Sequence, residues 1–425
     1  MKKVMTIFVY AAFVSFVHLS AQTADSSGGS LQRPFQFSFV SPMGTNGMES
    51  AKCTNNFSFN ILAGYAGGLN GFELGGFSNL ILHDAKGTQI AGFCNTVLGE
   101  TRGGQISGFS NVSKKSLVGV QIAGFSNVVV DYADAIQISG FSNVVKGSTR
   151  GAQLSGFMNY SNGDSKVAQI AGFSNVTRGS VEGAQISGFT NYADGDSKVI
   201  QIAGFANNTR GSVEGAQISG FSNVCSRNIT GVQISGFLNV AKKVTGSQIS
   251  FINISDTIEN GIALGFLSFV KKGYHTLELG GDETLYGQLS FKMGTEKFYN
   301  ILSIGAKQKG NDFFWGWGYG VGTMLNVSPK LNINVDLIGY HINEDYLWTN
   351  KINMLNKLKL NVSYRLTDKI AVYGGPTYNV FVTNRYDSEG AEVNPTLAPW
   401  TTYSKARFNT LVQMYPGFTA GIRFF

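Results

Sequence analysis

Cysteine, histidine, proline and charge are all scarce in this 425-residue chain, which has 3 Cys, 4 His and 7 Pro and is only 14% charged. Cys53, Cys94 and Cys225 form no metal-ligand spacing, and their odd number excludes a disulfide framework, leaving room for one bridge at most. His83, His275 and His341 lack a second His or Cys at zinc-ligand spacing. There is no dense Lys/Arg cluster, so nucleic acid is not an expected partner despite the formal charge of +7. That balance suits anionic lipid headgroups better. A nucleophile elbow in a strand–turn–helix context is missing. Carboxylates at fixed positions, needed for glycoside chemistry, are missing too. Asp164 and Asp196 recur in "NGDSK" and "DGDSK", which reads as a solvated turn. No catalytic residue, cofactor or metal is expected.

Glycine and phenylalanine are abundant instead, with 54 Gly and 32 Phe. Together with Asn, Ser, Ile and Val they indicate β structure with many tight turns. Residues 1–21 have the form of a secretory signal: Lys2 and Lys3, the apolar run "VMTIFVYAAFVSFV", then a cleavage site after Ala21. That run is short for a transmembrane helix. Residues 22–33 form a polar linker.

The dominant feature is a repeat. Gln stands at 89, 105, 121, 137, 153, 169, 185, 201, 217 and 233, every 16 residues, in the phrase G-x-Q-I-[AS]-G-F-x-N. Gln, Gly, Phe and Asn hold in all ten copies, and Gly lies two places before Gln in seven. Glu73 takes the Gln place one step upstream, and degenerate copies follow at Gln248 and over 261–269. Residues 164–190 match 196–222 at all but four places, a block duplication. Sixteen residues are too few for a helical pair or a propeller blade. They fit one coil of a β-solenoid, or one strand and turn of a large barrel made of the repeats themselves. In an antiparallel barrel, neighbouring copies run in opposite directions, so an identical phrase gains nothing. In a solenoid, equal positions stack, and identity is favoured.

The expected fold of residues 70–272 is therefore a solenoid of about twelve coils, roughly 55–60 Å long at the strand spacing. Gln185, Gln201 and Gln217 are expected to form one amide ladder and Asn191, Asn207 and Asn223 a second. Gly220 is expected at a corner, with Ile218 in the apolar core. Phe189, Phe205 and Phe221 face inward if Gly220 turns that corner, which is the favoured expectation. Otherwise they form an exposed aromatic stripe fit for a partner.

Residues 273–425 form the C-terminal segment, and from about residue 284 a two-residue rhythm takes over. Trp315, Trp317, Tyr319, Val321 and Thr323 alternate with glycines, Leu331, Ile333, Val335 and Leu337 with Asn332, Asn334 and Asp336, and Leu358, Leu360 and Val362 with Lys359, Asn361 and Ser363. An apolar face and a polar face on strands of this length suggest a transmembrane β-barrel. Trp315, Trp317 and Tyr319 are candidates for its interfacial girdle. Strand starts fall near 284, 297, 313, 330, 354, 370 and 415, and "YHTLELGG" adds one more. Segments 35–41 and 57–65 in the span 34–69 read as two further barrel strands. The expected fold is thus all-β, a solenoid inserted in an 8–10-stranded antiparallel barrel. Short turns at 328–330 and 367–369 and long connections after His341 and Asn384 orient it.

The repeat array, with "ETLYGQLSFKMGTEKFYNILSIG" and "WGWGYGVGT", resembles the bacterial surface-repeat proteins of outer membranes. The resemblance spans roughly residues 34–425 and implies an outer-membrane location in a Gram-negative cell. It carries over no catalytic residue. The expected function is a non-enzymatic barrel anchor bearing a structural or interaction solenoid, with outer-membrane lipid and a protein or glycan as partners. The alternatives are a transport channel with the array as plug or extension and, behind it, a barrel enzyme acting on lipid or polysaccharide.

Overall fold

A computed structural model describes residues 30–310, 312–344, 348, 352–384, 397–408 and 410–425. The expected secretory signal lies outside the described residues.

Residues 31–270 form a parallel β-solenoid of about fourteen coils. A regular coil has a long strand such as Val213–Ser219, a bend at Gly220 and Phe221, and a short strand such as Ser222–Cys225. Each strand pairs in parallel with its equivalent one coil away, so that Gln217 lies between Gln201 and Gln233, and Asn223 between Asn207 and Asn239. The 16-residue spacing thus sets the register: an identical phrase puts identical side chains above one another.

Two glycine positions have separate causes. The glycine two places before Gln has a left-handed backbone, as at Gly183 (φ 126°) and Gly215 (φ 136°), which only glycine adopts without strain. Where Val167 and Val199 replace it, the strand stays regular and the valine points inward. Gly220 is required by close approach, since a Cβ there would lie 2.2 Å from the carbonyl oxygen of Gly204.

Segments 35–41 and 57–65 do not join the second sheet. Leu31–Val40 pairs in parallel with Cys53–Ala66, Phe37 opposite Phe59, and the latter strand pairs in parallel with Gly68–Gly75. They are the first solenoid coils. Alternation marks a strand but does not say in which direction its neighbour runs. The solenoid therefore precedes the second sheet and is not inserted in it.

That sheet is antiparallel. Its strands are Tyr274–Asp282, Gly287–Thr295, Phe298–Lys309, Asp312–Asn326, Leu331–Glu344, Asn353–Arg365, Ile370–Thr383 and Thr410–Phe424, with Tyr403–Arg407 added beside the last. Thr410–Phe424 also pairs with Tyr274–Asp282, from Leu277 opposite Phe424 to Asp282 opposite Thr419, so the pairing returns to its start. All eight expected strand starts are present, including "YHTLELGG". Gly318 and Gly322 face inward, where a Cβ would lie 2.7 Å from the Tyr340 ring and 2.4 Å from the Tyr299 ring. The glycines of "WGWGYGVG" make room for interior tyrosines.

Candidate functional surfaces

Gln185, Gln201, Gln217, Asn191, Asn207 and Asn223 are all fully buried. Each Gln Nε2 donates to the Gln Oε1 of the preceding coil, as from Gln217 to Gln201 and from Gln233 to Gln217, both at 2.8 Å. The Asn ladder runs the other way: Asn207 Nδ2 donates to Asn223 Oδ1 at 2.9 Å, and Asn223 to Asn239 at 3.0 Å. Hydrogen bonds in such chains polarise one another, and opposed directions let the two ladder dipoles cancel. Asn223 Nδ2 also donates to the carbonyl of Ile234 at 2.8 Å, satisfying a backbone acceptor beside the bend.

The coil interior also includes the small Ala or Ser two places after Gln and the positions four places before Gln and eight after it. The latter two positions vary together. Val213 faces Cys225, Val181 goes with Ala193 and Leu117 with Val129, whereas Thr101 goes with Ser113, Thr149 with Ser161 and Ser165 with Thr177. The hydroxyl pairs bond to each other, at 2.8 Å for Thr101 with Ser113. They also join the Gln ladder: Ser113 donates to Gln105 Oε1 at 3.2 Å and accepts from Gln121 at 3.3 Å. A mixed pair would strand a hydroxyl in a dry interior. In the sequence, the signal of this core is the joint exchange at two offsets from Gln. The cysteines are free thiols, and Cys225 is one member of an apolar pair.

Glu73 caps the Gln ladder at the end its donors point toward. It is fully buried and accepts from Gln89 Nε2 at 2.9 Å and Asn60 Nδ2 at 3.1 Å. Burial pushes its carboxyl up to about 7, against these two amide donors. Asp164 and Asp196 each accept the backbone N–H of the next coil's turn, from Ser180 at 2.8 Å and Ser212 at 2.6 Å.

Two expectations are corrected. Ile218 is not core: it points outward and is 37% exposed. Phe189, Phe205 and Phe221 are not inward wedges, and each is 41% exposed. The bend at Gly220 does place Ile218 and Phe221 on one side, but that side is outside. The amides at Gln217 and Asn223 occupy the interior, because only there can every copy keep its cross-coil bond. The rings stack along the rod with centroids 4.9 Å apart from Phe157 to Phe221 and planes within 10° of parallel.

The eight-stranded sheet repeats this polarity with charges. Lys292 Nζ lies 2.6 Å from Asp336 Oδ2 and 2.9 Å from Glu278 Oε1, and Arg423 Nη2 lies 2.6 Å from the same Glu278 oxygen. Tyr299 donates to Asp336 at 2.6 Å, and Lys357 pairs with Asp282. All of these are buried, whereas Leu337, Leu358, Leu360, Val362 and Ile422 point outward. Trp317 lies on that outer face and stacks with Trp348 at 6.3 Å, while Trp315 is half-buried on the same face. Tyr319 is not free: the Phe266 ring covers it at 4.4 Å. Among the described residues no group of three or more His, Cys, Asp and Glu is placed to hold a metal ion. The chain matches no family model, no curated protein and no solved structure.

Proposed function

We propose that this chain is a non-enzymatic outer-membrane protein, in which the eight-stranded sheet is a transmembrane β-barrel anchor and the solenoid a structural or interaction surface. The carrying observation is the inverted polarity of that sheet: eight buried charged side chains (Glu278, Asp282, Lys292, Lys307, Asp336, Lys357, Lys359 and Arg423) against an outer wall of Leu, Ile, Val and aromatics. In water that wall is unfavourable, and against acyl chains it is the required surface. The interior ion pairs and tyrosines fill an eight-stranded ring, which leaves no wide channel and favours an anchor over a pore. On this reading the solenoid joins at the end bearing the connections 296–297, 327–330 and 366–369, all short, while the other end bears 283–286 and 310–311 together with the longer 345–352 and 384–409. In outer-membrane barrels the short turns are periplasmic.

The full chain refolded into phospholipid vesicles tests this. It is expected to float with the vesicles, to resist extraction by alkaline carbonate or urea, and to give no single-channel steps in planar bilayers. Extraction into the supernatant would overturn the anchor; regular conductance steps would favour a channel.

A further inference from the structure

The solenoid surface is divided as sharply as its interior. Relative to each Gln, the positions one before, one after, four after and seven after point outward and are mostly apolar. In one coil they are Ile200, Ile202, Phe205 and Asn208, and in the next Ala216, Ile218, Phe221 and Val224. Ile200 is 51% exposed. Both flanks of this face are charged. Three places before Gln stand Arg150, Lys166, Glu182, Lys198 and Glu214; nine places after it stand Lys146, Arg178, Asp194 and Arg210. The face is straight, because successive rings from Phe77 to Phe221 stay 4.7–4.9 Å apart and nearly parallel. A long, flat apolar band between charged edges is the surface of an element that lies in a membrane interface.

The band also has a neighbour. Its last ring, Phe266, stacks on Tyr319 at 4.4 Å, and Tyr319 stands on the outer wall of the eight-stranded sheet. The joint is fixed by polar bonds as well: Tyr319 Oη donates to the carbonyl of Phe266 at 2.8 Å, and Asn300 Nδ2 to that of Gly265 at 2.8 Å. The phenylalanine stripe thus continues through Phe237, Phe251 and Phe266, widening to 6.0 Å between Phe237 and Phe251, and meets the apolar wall of the sheet at Tyr319.

We infer that the Ile/Phe face of the solenoid rests against the lipid bilayer, as a continuation of the barrel's lipid-facing wall. The inference depends on the barrel reading above. The bilayer is favoured as occupant because the stripe is continuous with that wall and because long charged side chains edge it on both sides, where they reach headgroups. The buried Gln and Asn amides already bond to one another along the coil interior, so contact with lipid requires no rearrangement of the ladders.

The test uses the full chain in phosphatidylethanolamine/phosphatidylglycerol vesicles. Cys53→Ala, Cys94→Ser and Cys225→Ala form the background; Ser and Ala already occupy the last two positions in other copies. Single nitroxide labels go at Ile202→Cys, Phe205→Cys, Lys198→Cys and, on the sheet's outer wall, Leu360→Cys. Collision with lipid-soluble oxygen is compared with collision with a water-soluble nickel chelate. Ile202 and Phe205 are expected to match Leu360, with high oxygen and low nickel accessibility, while Lys198 stays nickel-accessible. Stripe labels as open to nickel as Lys198, with Leu360 still in lipid, would overturn the inference and leave the barrel intact. Stripe labels shielded from both reagents would also overturn it, in favour of a protein cover such as a second copy. Nickel access at Leu360 would remove the barrel reading and this inference with it.

Discussion

The solenoid and the eight-stranded sheet solve one problem by two routes. Both bury polar groups and turn apolar side chains outward. In the solenoid the buried groups are neutral, identical and local: each Gln or Asn needs only its copies one coil away. In the sheet they are charged and unique: Asp336 serves Lys292 from one strand and Tyr299 from another. A repeat can therefore grow by duplicating a block such as 164–195, because only nearest neighbours must match. The sheet cannot, since each of its charges has one set of partners.

The strongest way to break this comparison is inside the sheet. Asp336→Ala leaves Lys292 short of one carboxylate and leaves Tyr299 the more distant Thr323 carbonyl, at 3.2 Å, in place of its 2.6 Å acceptor, both side chains being fully buried. A loss of about 3–5 kcal/mol is expected, read by urea unfolding in detergent. In the solenoid the largest effect is expected at its one buried acid. The folded Glu73 carboxyl titrates at about 7 against 4.5 when unexposed to burial, so the folded state keeps a proton that the unfolded chain releases. Solenoid stability should therefore fall as pH rises from about 4.5 to about 7, by a quantity on the order of 3 kcal/mol. Glu73→Gln, which restores the standard rung, should flatten that dependence.

Next in size is Gln217→Ala, which removes the ladder acceptor of Gln233 Nε2 and the ladder donor to Gln201 Oε1, leaving these the Val240 carbonyl and the Thr209 hydroxyl. The expected cost is about 1–3 kcal/mol, with faster amide exchange confined to the adjoining coils if stability is local. The smallest effect sharpens the pairing rule. Val213→Thr or Cys225→Ser alone should each destabilise, whereas the double change should recover on the order of 1 kcal/mol in a double-mutant cycle, since Thr101 with Ser113 already forms that pair elsewhere.

Much of this was legible beforehand. The amide ladders followed from a spacing of 16 held through ten copies, and the eight sheet strands from period-two alternation. Glu73 was visible as a Gln substitute but not as a buried acid, because the ladder's donor direction is a three-dimensional property. The strands at 31–40 and 53–66 were misplaced, since "FQFSFVS" reads the same in a parallel coil and an antiparallel barrel.

The sequence by itself determined the coil length, the in-register stacking and the change of grammar near residue 284. Those depend on periodicity, which survives in one dimension. Only the tertiary structure decided that Ile218 and Phe221 face out while Gln217 and Asn223 face in. An alternating pattern is symmetric under exchange of its two faces. The choice between them rests on which side chains fit a coil interior and can bond from coil to coil there, as Gln217 and Asn223 do, and that is settled only when the coils close and stack.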